Sequence, residues 1–145
     1  MRAVIQRVQY GSVEVNNQVI SQINHGFVIL LGVSPDDTIE NARALAKKIA
    51  LLRVFEDEQE KMNLSILDVK GEALVVSQFT LFANTNKGNR PSFIEAAPPE
   101  IASPLVDQFA DLLTAQGVPT KKGEFGAHML VNILNDGPVT ILLEL

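Results

Sequence analysis

The sequence predicts an α+β domain: a mostly antiparallel, barrel-like sheet carrying two main helices. Three observations point there. Hydrophobic periodicity runs in the order strands, helix, strands, helix, strands, which segregates helices from an antiparallel sheet. The 145 residues are 46% apolar and 20% charged, the balance of a chain with a real core. A chain of this length buries ~68–70% of its unfolded surface and needs no staple to fold. No linker, repeat or low-complexity tract divides it, so residues 1–145 read as a single domain.

In chain order, Val4 to Val8 and Ser12 to Val15 alternate in part, and Asn16-Asn17 makes a turn before Val19 to Ile23. His25-Gly26 then leads into Phe27 to Val33, an apolar run of strand length buried on both faces. Ser34-Pro35-Asp36-Asp37 reads as a helix start. Ile39, Ala42, Leu45, Ala46, Ile49 and Leu52 then step by three and four along an amphipathic helix. Glu56 to Lys61 is a polar, hairpin-like loop without the spacing of a calcium site. Glu72 to Phe82 predicts a long central strand, and Asn84 to Ser92 a loop rich in Gly, Asn and Pro. The second helix covers about Pro99 to Gln116, with Pro104 marking a kink or a later start and Gly117 the stop. Met129 to Leu134 and Val139 to Leu143 are two strands flanking Asn135-Asp136-Gly137-Pro138.

Composition narrows the chemistry. The absence of cysteine removes disulfides, thiolate metal sites and cysteine nucleophiles, and suits a reducing cytoplasm. A net charge of −5 argues against coating nucleic acid by electrostatics. The longest apolar run, Phe27 to Leu31, is too short to span a bilayer, and the N-terminus lacks the pattern of a signal peptide. Walker, dinucleotide and zinc-protease motifs are missing. The two histidines, His25 at a turn and His128 at a strand start, have no neighbouring signature that would make either a general base.

Polar insertion into apolar strands stands out instead. A two-residue period puts Ser77 and Phe79 on one face of the central strand and Gln78 and Thr80 on the other. Buried there, the polar side chains must hydrogen-bond within the protein or line a site. Nothing near Thr80 in sequence can take its proton, which leaves it a weak nucleophile. Gly137-Pro138 is either a plain turn or a place where the backbone approaches something closely. No carboxylate lies between Glu72 and Glu95, so Lys87 and Arg90 leave that stretch locally cationic.

Ser77-Gln78-Phe79-Thr80-Leu81, together with Asn135-Asp136-Gly137-Pro138-Val139-Thr140, resemble the two signature motifs of the D-aminoacyl-tRNA deacylase family. Met1 to Val8, Lys61 to Ser65 and Arg90 to Phe93 extend the resemblance over essentially the whole chain. Residues 128, 130 and 89 depart from the family pattern, being His, Leu and Asn, but lie outside both signatures.

The resemblance implies a cytoplasmic homodimer that hydrolyses the ester joining a D-amino acid, or glycine mischarged on alanine tRNA, to the tRNA 3′ end. It implies a pocket at the subunit interface, formed by Ser77, Gln78, Phe79 and Thr80 with Met129 nearby. Gly137-Pro138, a cis peptide in the family, would enter from the partner subunit, supported by Arg7. No metal or cofactor is implied. An aminoacyl ester is already activated, so backbone N–H groups around Phe79 and Thr80 and the substrate's own 2′-hydroxyl would suffice to polarise it and direct water. The Gly137 and Pro138 carbonyls would receive the α-ammonium and exclude an L side chain by collision.

Two other readings compete: a silent binder of the tRNA end using Lys87, Arg90 and Phe93, and a purely structural dimer. The charge is then compatible with RNA. Seven of the seventeen carboxylates lie in Asp36 to Glu40 and Glu56 to Glu60, and a single-stranded end needs only a small patch near Lys87 and Arg90.

Overall fold

The computed structural model describes residues 1–145. Its first strand, β1 (Arg2–Val15), runs unbroken through the two short strands expected there. One edge of β1 pairs antiparallel with two successive strands: β2 (Gln18–Ile23) along Gly11 to Val15, and β3 (Gly26–Gly32) along Arg2 to Val8. The β1–β2 turn is Asn16-Asn17, both at positive φ (50° and 62°), a geometry that asparagine tolerates and that matches strand twist.

The first helix, α1 (Ile39–Ala50), starts later than Ser34. Ser34 to Asp37 instead form a turn, in which the Ser34 amide donates to Asp37 Oδ2 at 2.6 Å. Thr38 caps the helix, its backbone N–H donating to Asn41 Oδ1 at 2.9 Å. The polar loop is the turn of a small hairpin, β4 (Phe55–Glu56) with β5 (Met62–Leu64). β6 (Glu72–Ser77) lies parallel to β3, and β7 (Thr120–Lys122) parallel to β6.

Between them α2 (Pro99–Ala115) contains Pro104 rather than starting after it. The N–H that proline lacks would have met Glu100, which is exposed to water, so the loss leaves no buried orphan. Gly117 ends the segment at φ +98°. The last strand, β8 (Leu130–Glu144), pairs antiparallel with the other edge of β1. The two strands and the turn expected over 129–143 are thus one strand with an interruption.

Antiparallel pairings outnumber parallel ones, and the six-stranded sheet curls back on itself. Ser21 Oγ donates to the Lys122 carbonyl at 2.5 Å, and Lys121 Nζ to the Gln22 carbonyl at 2.6 Å, tying β2 to β7. The curl encloses Val8, Val13, Ile23, Val28, Leu74 and Val76, with Met129 packed against them. The other face of the sheet, including Ile5, Phe27, Ile29 and Val75, meets Leu45 and Ile49 of α1 and Phe109 and Leu113 of α2. These four helix side chains are fully buried, each stabilising the fold by about 1.5–3 kcal/mol. No helix is long and apolar enough to cross a membrane.

Candidate active site

The strand expected over Glu72 to Phe82 stops at Ser77. The Gln78 amide makes the last ladder bond, to the Leu31 carbonyl at 2.8 Å, and the chain then winds into a single 3-10 turn, Phe79–Phe82. Burial decides the break. Phe82 tucks into the protein, where the Arg2 guanidinium lies over its ring (4.6 Å) and Arg2 Nη1 donates to the Leu81 carbonyl (2.8 Å). Continued strand would have carried Phe82 away from this anchor.

Consequently Ser77, Gln78, Phe79 and Thr80 do not alternate across a sheet but wrap around its edge. The first bond inside the turn joins the Leu81 amide to the Gln78 carbonyl at 3.2 Å, so the Phe79 and Thr80 amides stand ahead of it with no acceptor within the turn. Gln78 Nε2 donates to Thr80 Oγ1, which locks the two side chains together.

Ser77, Gln78 and Phe79 border a cavity of about 440 Å³ at the carboxyl ends of the parallel pair β3 and β6. Leu31 lines it from β3, Val33 from just past the end of that strand, and Pro98, Pro99, Ala102 and Val106 from the start of α2. Phe93, Ala96, Ala97 and Phe125-Gly126 complete the lining, with the Phe93 ring edge-on to Phe79 at 5.0 Å. No ionisable side chain is among the lining residues. Phe79 is 56% exposed at the mouth. Thr80 is exposed on the turn but does not line the cavity. Pro98-Pro99, Ala102 and Phe125-Gly126 were invisible as site residues in the sequence. The one available signal was an aromatic beside glycine in the otherwise polar stretch 121–128.

Arg7, Gly137 and Pro138 form a separate group on β1 and β8, and none of them lines this cavity within the same protomer. Gly137-Pro138 is a cis peptide, exposed, and set in a bulge of β8: Thr140 pairs with Gln6, and Asn135 with Val8. Arg7, the β1 residue opposite the bulge, is 5% exposed. Its Nε donates to the Asp136 carbonyl at 3.0 Å and its Nη1 to the Val54 carbonyl at 2.7 Å. Glu56 and Asp136 carboxylates lie 3.6 Å from the guanidinium. Met129 packs in the sheet's interior, its Sδ beside Gly123, rather than in the cavity.

The remaining candidates scatter. His25 stacks edge-on to Phe55 at 5.0 Å, and His128 is exposed. Lys87 and Arg90 are exposed in the loop before Phe93, with no carboxylate in ion-pair range. The carboxyls held below the ordinary aspartate value sit elsewhere: Asp57 through bonds from Asn63 and the Lys61 and Gln59 amides, Asp68 through Ser65. No group of three or more His, Asp or Glu side chains is placed to hold a metal ion.

A family model described as D-Tyr-tRNA(Tyr) deacylase matches residues 4–144. A protein of Chloroflexus aurantiacus named D-aminoacyl-tRNA deacylase is 58% identical over 144 residues, 99% of this chain and 90% of its own. Its namesake in Fusobacterium nucleatum is 52% identical over 99% of this chain and 95% of its own. Among solved structures, one described as the c-Myc DNA Unwinding Element Binding Protein superposes with a TM-score of 0.92 at 45% identity, covering 99% of this chain and 98% of that one. Another, described as a probable eukaryotic D-amino acid tRNA deacylase, shares the fold with a TM-score of 0.80 at 19% identity, covering 98% of this chain and 97% of that one. On a match that spans nearly every residue, the chain belongs to the D-Tyr-tRNA(Tyr) deacylase family, hydrolases of the D-aminoacyl-tRNA ester bond.

Proposed function

We propose that this chain is a cytoplasmic editing hydrolase that cleaves the ester of D-aminoacyl-tRNA, and of glycyl-tRNA(Ala), while rejecting L-aminoacyl-tRNA. One observation carries the reading: an apolar cavity without an ionisable group, bordered by a turn whose leading amides have no acceptor within it. Such a site suits an activated ester, which needs polarising more than it needs an acid and a base. The Phe79 and Thr80 amides receive the carbonyl oxygen as it becomes an oxyanion. Water, directed by the substrate's 2′-hydroxyl, adds to the carbonyl carbon, and the bond to the 3′-oxygen breaks, leaving tRNA and a free amino acid. The 3′-oxygen departs with the proton that water gave up.

Chirality is read by a second subunit. Gly137-Pro138 is exposed on β8, the strand that also exposes Leu130, Leu134 and Leu142, a set suited to burial against another copy of the chain. Docked so, the Gly137 and Pro138 carbonyls of the partner subunit take the α-ammonium and leave room for a hydrogen or a D side chain only. Met129 supports the pocket from the interior of the sheet, and Lys87 and Arg90 offer the small cationic patch that a single-stranded 3′ end requires. A DNA-binding reading, suggested by the name of the 45% identical structure, has no comparable support in a chain of net charge −5.

The test is hydrolysis of D-tyrosyl-tRNA and L-tyrosyl-tRNA by the purified protein. Turnover of the D form alone is expected; binding without turnover, or equal hydrolysis of both, would overturn the reading.

A further inference from the structure

The bulge that presents Gly137-Pro138 has lost most of its ladder. One β1 residue, Arg7, faces four β8 residues, Asp136 to Val139, so something other than strand pairing must hold this backbone. On the Arg7 side, the guanidinium takes the Asp136 carbonyl. On the other side, Asn135 Oδ1 accepts the Val139 amide at 2.8 Å, closing a ring across Asp136-Gly137-Pro138. Asn135 Nδ2 donates to Thr140 Oγ1 at 3.1 Å, which fixes the orientation of the carboxamide. Gln6 Nε2 approaches the same hydroxyl at 3.4 Å, and Gln9 Nε2 donates to Asp136 Oδ2 at 2.8 Å.

The peptide plane turns this clasp into a specificity device. Proline has no N–H, so the Val139 amide is the first backbone donor after Gly137. In a planar trans peptide, N–H and C=O point in opposite directions. Drawing the Val139 N–H toward Asn135 therefore aims the Pro138 carbonyl away from the bulge's interior. Arg7 acts likewise two peptides earlier, on the one whose carbonyl belongs to Asp136.

We propose that Asn135 is a positioning residue for substrate discrimination: through the Val139 amide it orients the Pro138 carbonyl that meets the substrate ammonium. This rests on the reading of Gly137-Pro138 as the chiral filter. Without the clasp the carbonyl swings and the filter loses both its grip on D substrates and its exclusion of L ones.

The experiment compares kcat/KM on D-tyrosyl-tRNA and L-tyrosyl-tRNA for wild type, Asn135→Ala and Asn135→Asp, with melting temperatures alongside. Asn135→Ala removes the acceptor and should lower D-substrate kcat/KM about tenfold, the equivalent of one buried hydrogen bond, while narrowing the D-to-L ratio. Asn135→Asp keeps the acceptor and should stay within about threefold of wild type. A folded Asn135→Ala with the wild-type ratio, or an aspartate variant as impaired as the alanine one, would overturn the proposal. Should the alanine variant fail to fold, amide hydrogen exchange in the wild type decides: Val139 protected supports the clasp, Val139 exchanging as fast as an open loop removes it. The wild-type arm separates the two ideas. Loss of D-to-L discrimination there overturns the filter and the clasp together, whereas discrimination kept by wild type and by Asn135→Ala overturns only the clasp.

Discussion

Thr80 carries the only hydroxyl on the 3-10 turn, and its setting argues against a nucleophile. It is exposed, lies off the cavity lining, and its hydroxyl already accepts the Gln78 carboxamide N–H. No base is in hydrogen-bond reach to take its proton. What the turn offers is backbone: the Thr80 amide, which any residue but proline supplies at position 80. Thr80→Ala should therefore retain deacylation within about tenfold of wild type, and an exposed substitution of this kind shifts stability by about 0.5 kcal/mol or less. Steady-state rates on D-tyrosyl-tRNA check it, together with mass spectrometry of the quenched enzyme. Collapse of turnover, with an acyl adduct on the wild type, would mean a covalent mechanism. Ser77 and Gln78 were legible in the sequence as polar residues out of place in an apolar strand. Phe125 and Ala102 were not, because only the fold brings the start of α2 and the segment after β7 to the end of β6.

Elements were legible where local and tertiary preferences agree. Asn16-Asn17 is such a case, a turn in sequence and in structure. They were missed where a distant contact overrides the local pattern. Phe82 leaves the strand for Arg2, and residues 135–138, which carry every local mark of a turn, stay in β8 because β1 runs past them on both sides. Ser34-Pro35 has the composition of a helix start, but Asp37 turns back onto the Ser34 amide and also meets the Met1 ammonium at 2.6 Å, leaving Thr38 to cap. The β4–β5 hairpin hangs on one carboxylate. Asp57 Oδ1 accepts the Gln59 and Lys61 amides at 2.8 and 3.0 Å, and Oδ2 accepts Asn63 Nδ2 at 2.7 Å. These bonds favour the charged form and hold its pKa below 3.8. A pKa depressed on folding stabilises the protein fully above the unfolded value, and that contribution is lost as pH falls through the folded value. Amides of residues 59–61 should thus keep their protection at pH 5 and lose it progressively below about pH 4. Asp57→Asn should show a flatter response, since asparagine does not titrate there. Equal acid sensitivity in both proteins would assign the effect to another group, Asp68 first.

At the scale of the whole molecule, the separation of the two signature segments is the central fact. Ser77 to Phe79 border the cavity at one end of the parallel strands, while Gly137-Pro138 stands on β8, beyond β1 and β3 in the order of the sheet. On the proposed reading, a protomer acting alone would have a polarising turn without a chiral wall. In the proposed dimer the wall of each copy meets the turn of the other: where a twofold axis brings one wall against the partner's turn, the same axis makes the reciprocal contact. Complementation tests this directly. Gly137→Ala removes the wall: its Cβ would lie 2.7 Å from Val139 Cγ2 and 3.2 Å from Arg7 Nη2, at a φ of +129° that alanine resists. Phe79→Asp disables the turn side by setting a charge at the mouth of an apolar cavity, on a residue exposed enough to leave the core intact. Each variant alone should be inactive on D-tyrosyl-tRNA. Unfolded together and refolded at equal concentration, half of the dimers are mixed, and each mixed dimer has one site with both parts sound. Activity should then return to about a quarter of wild type. A site contained within one protomer predicts no recovery at any mixing ratio, because every cavity in the mixture would carry one lesion or the other.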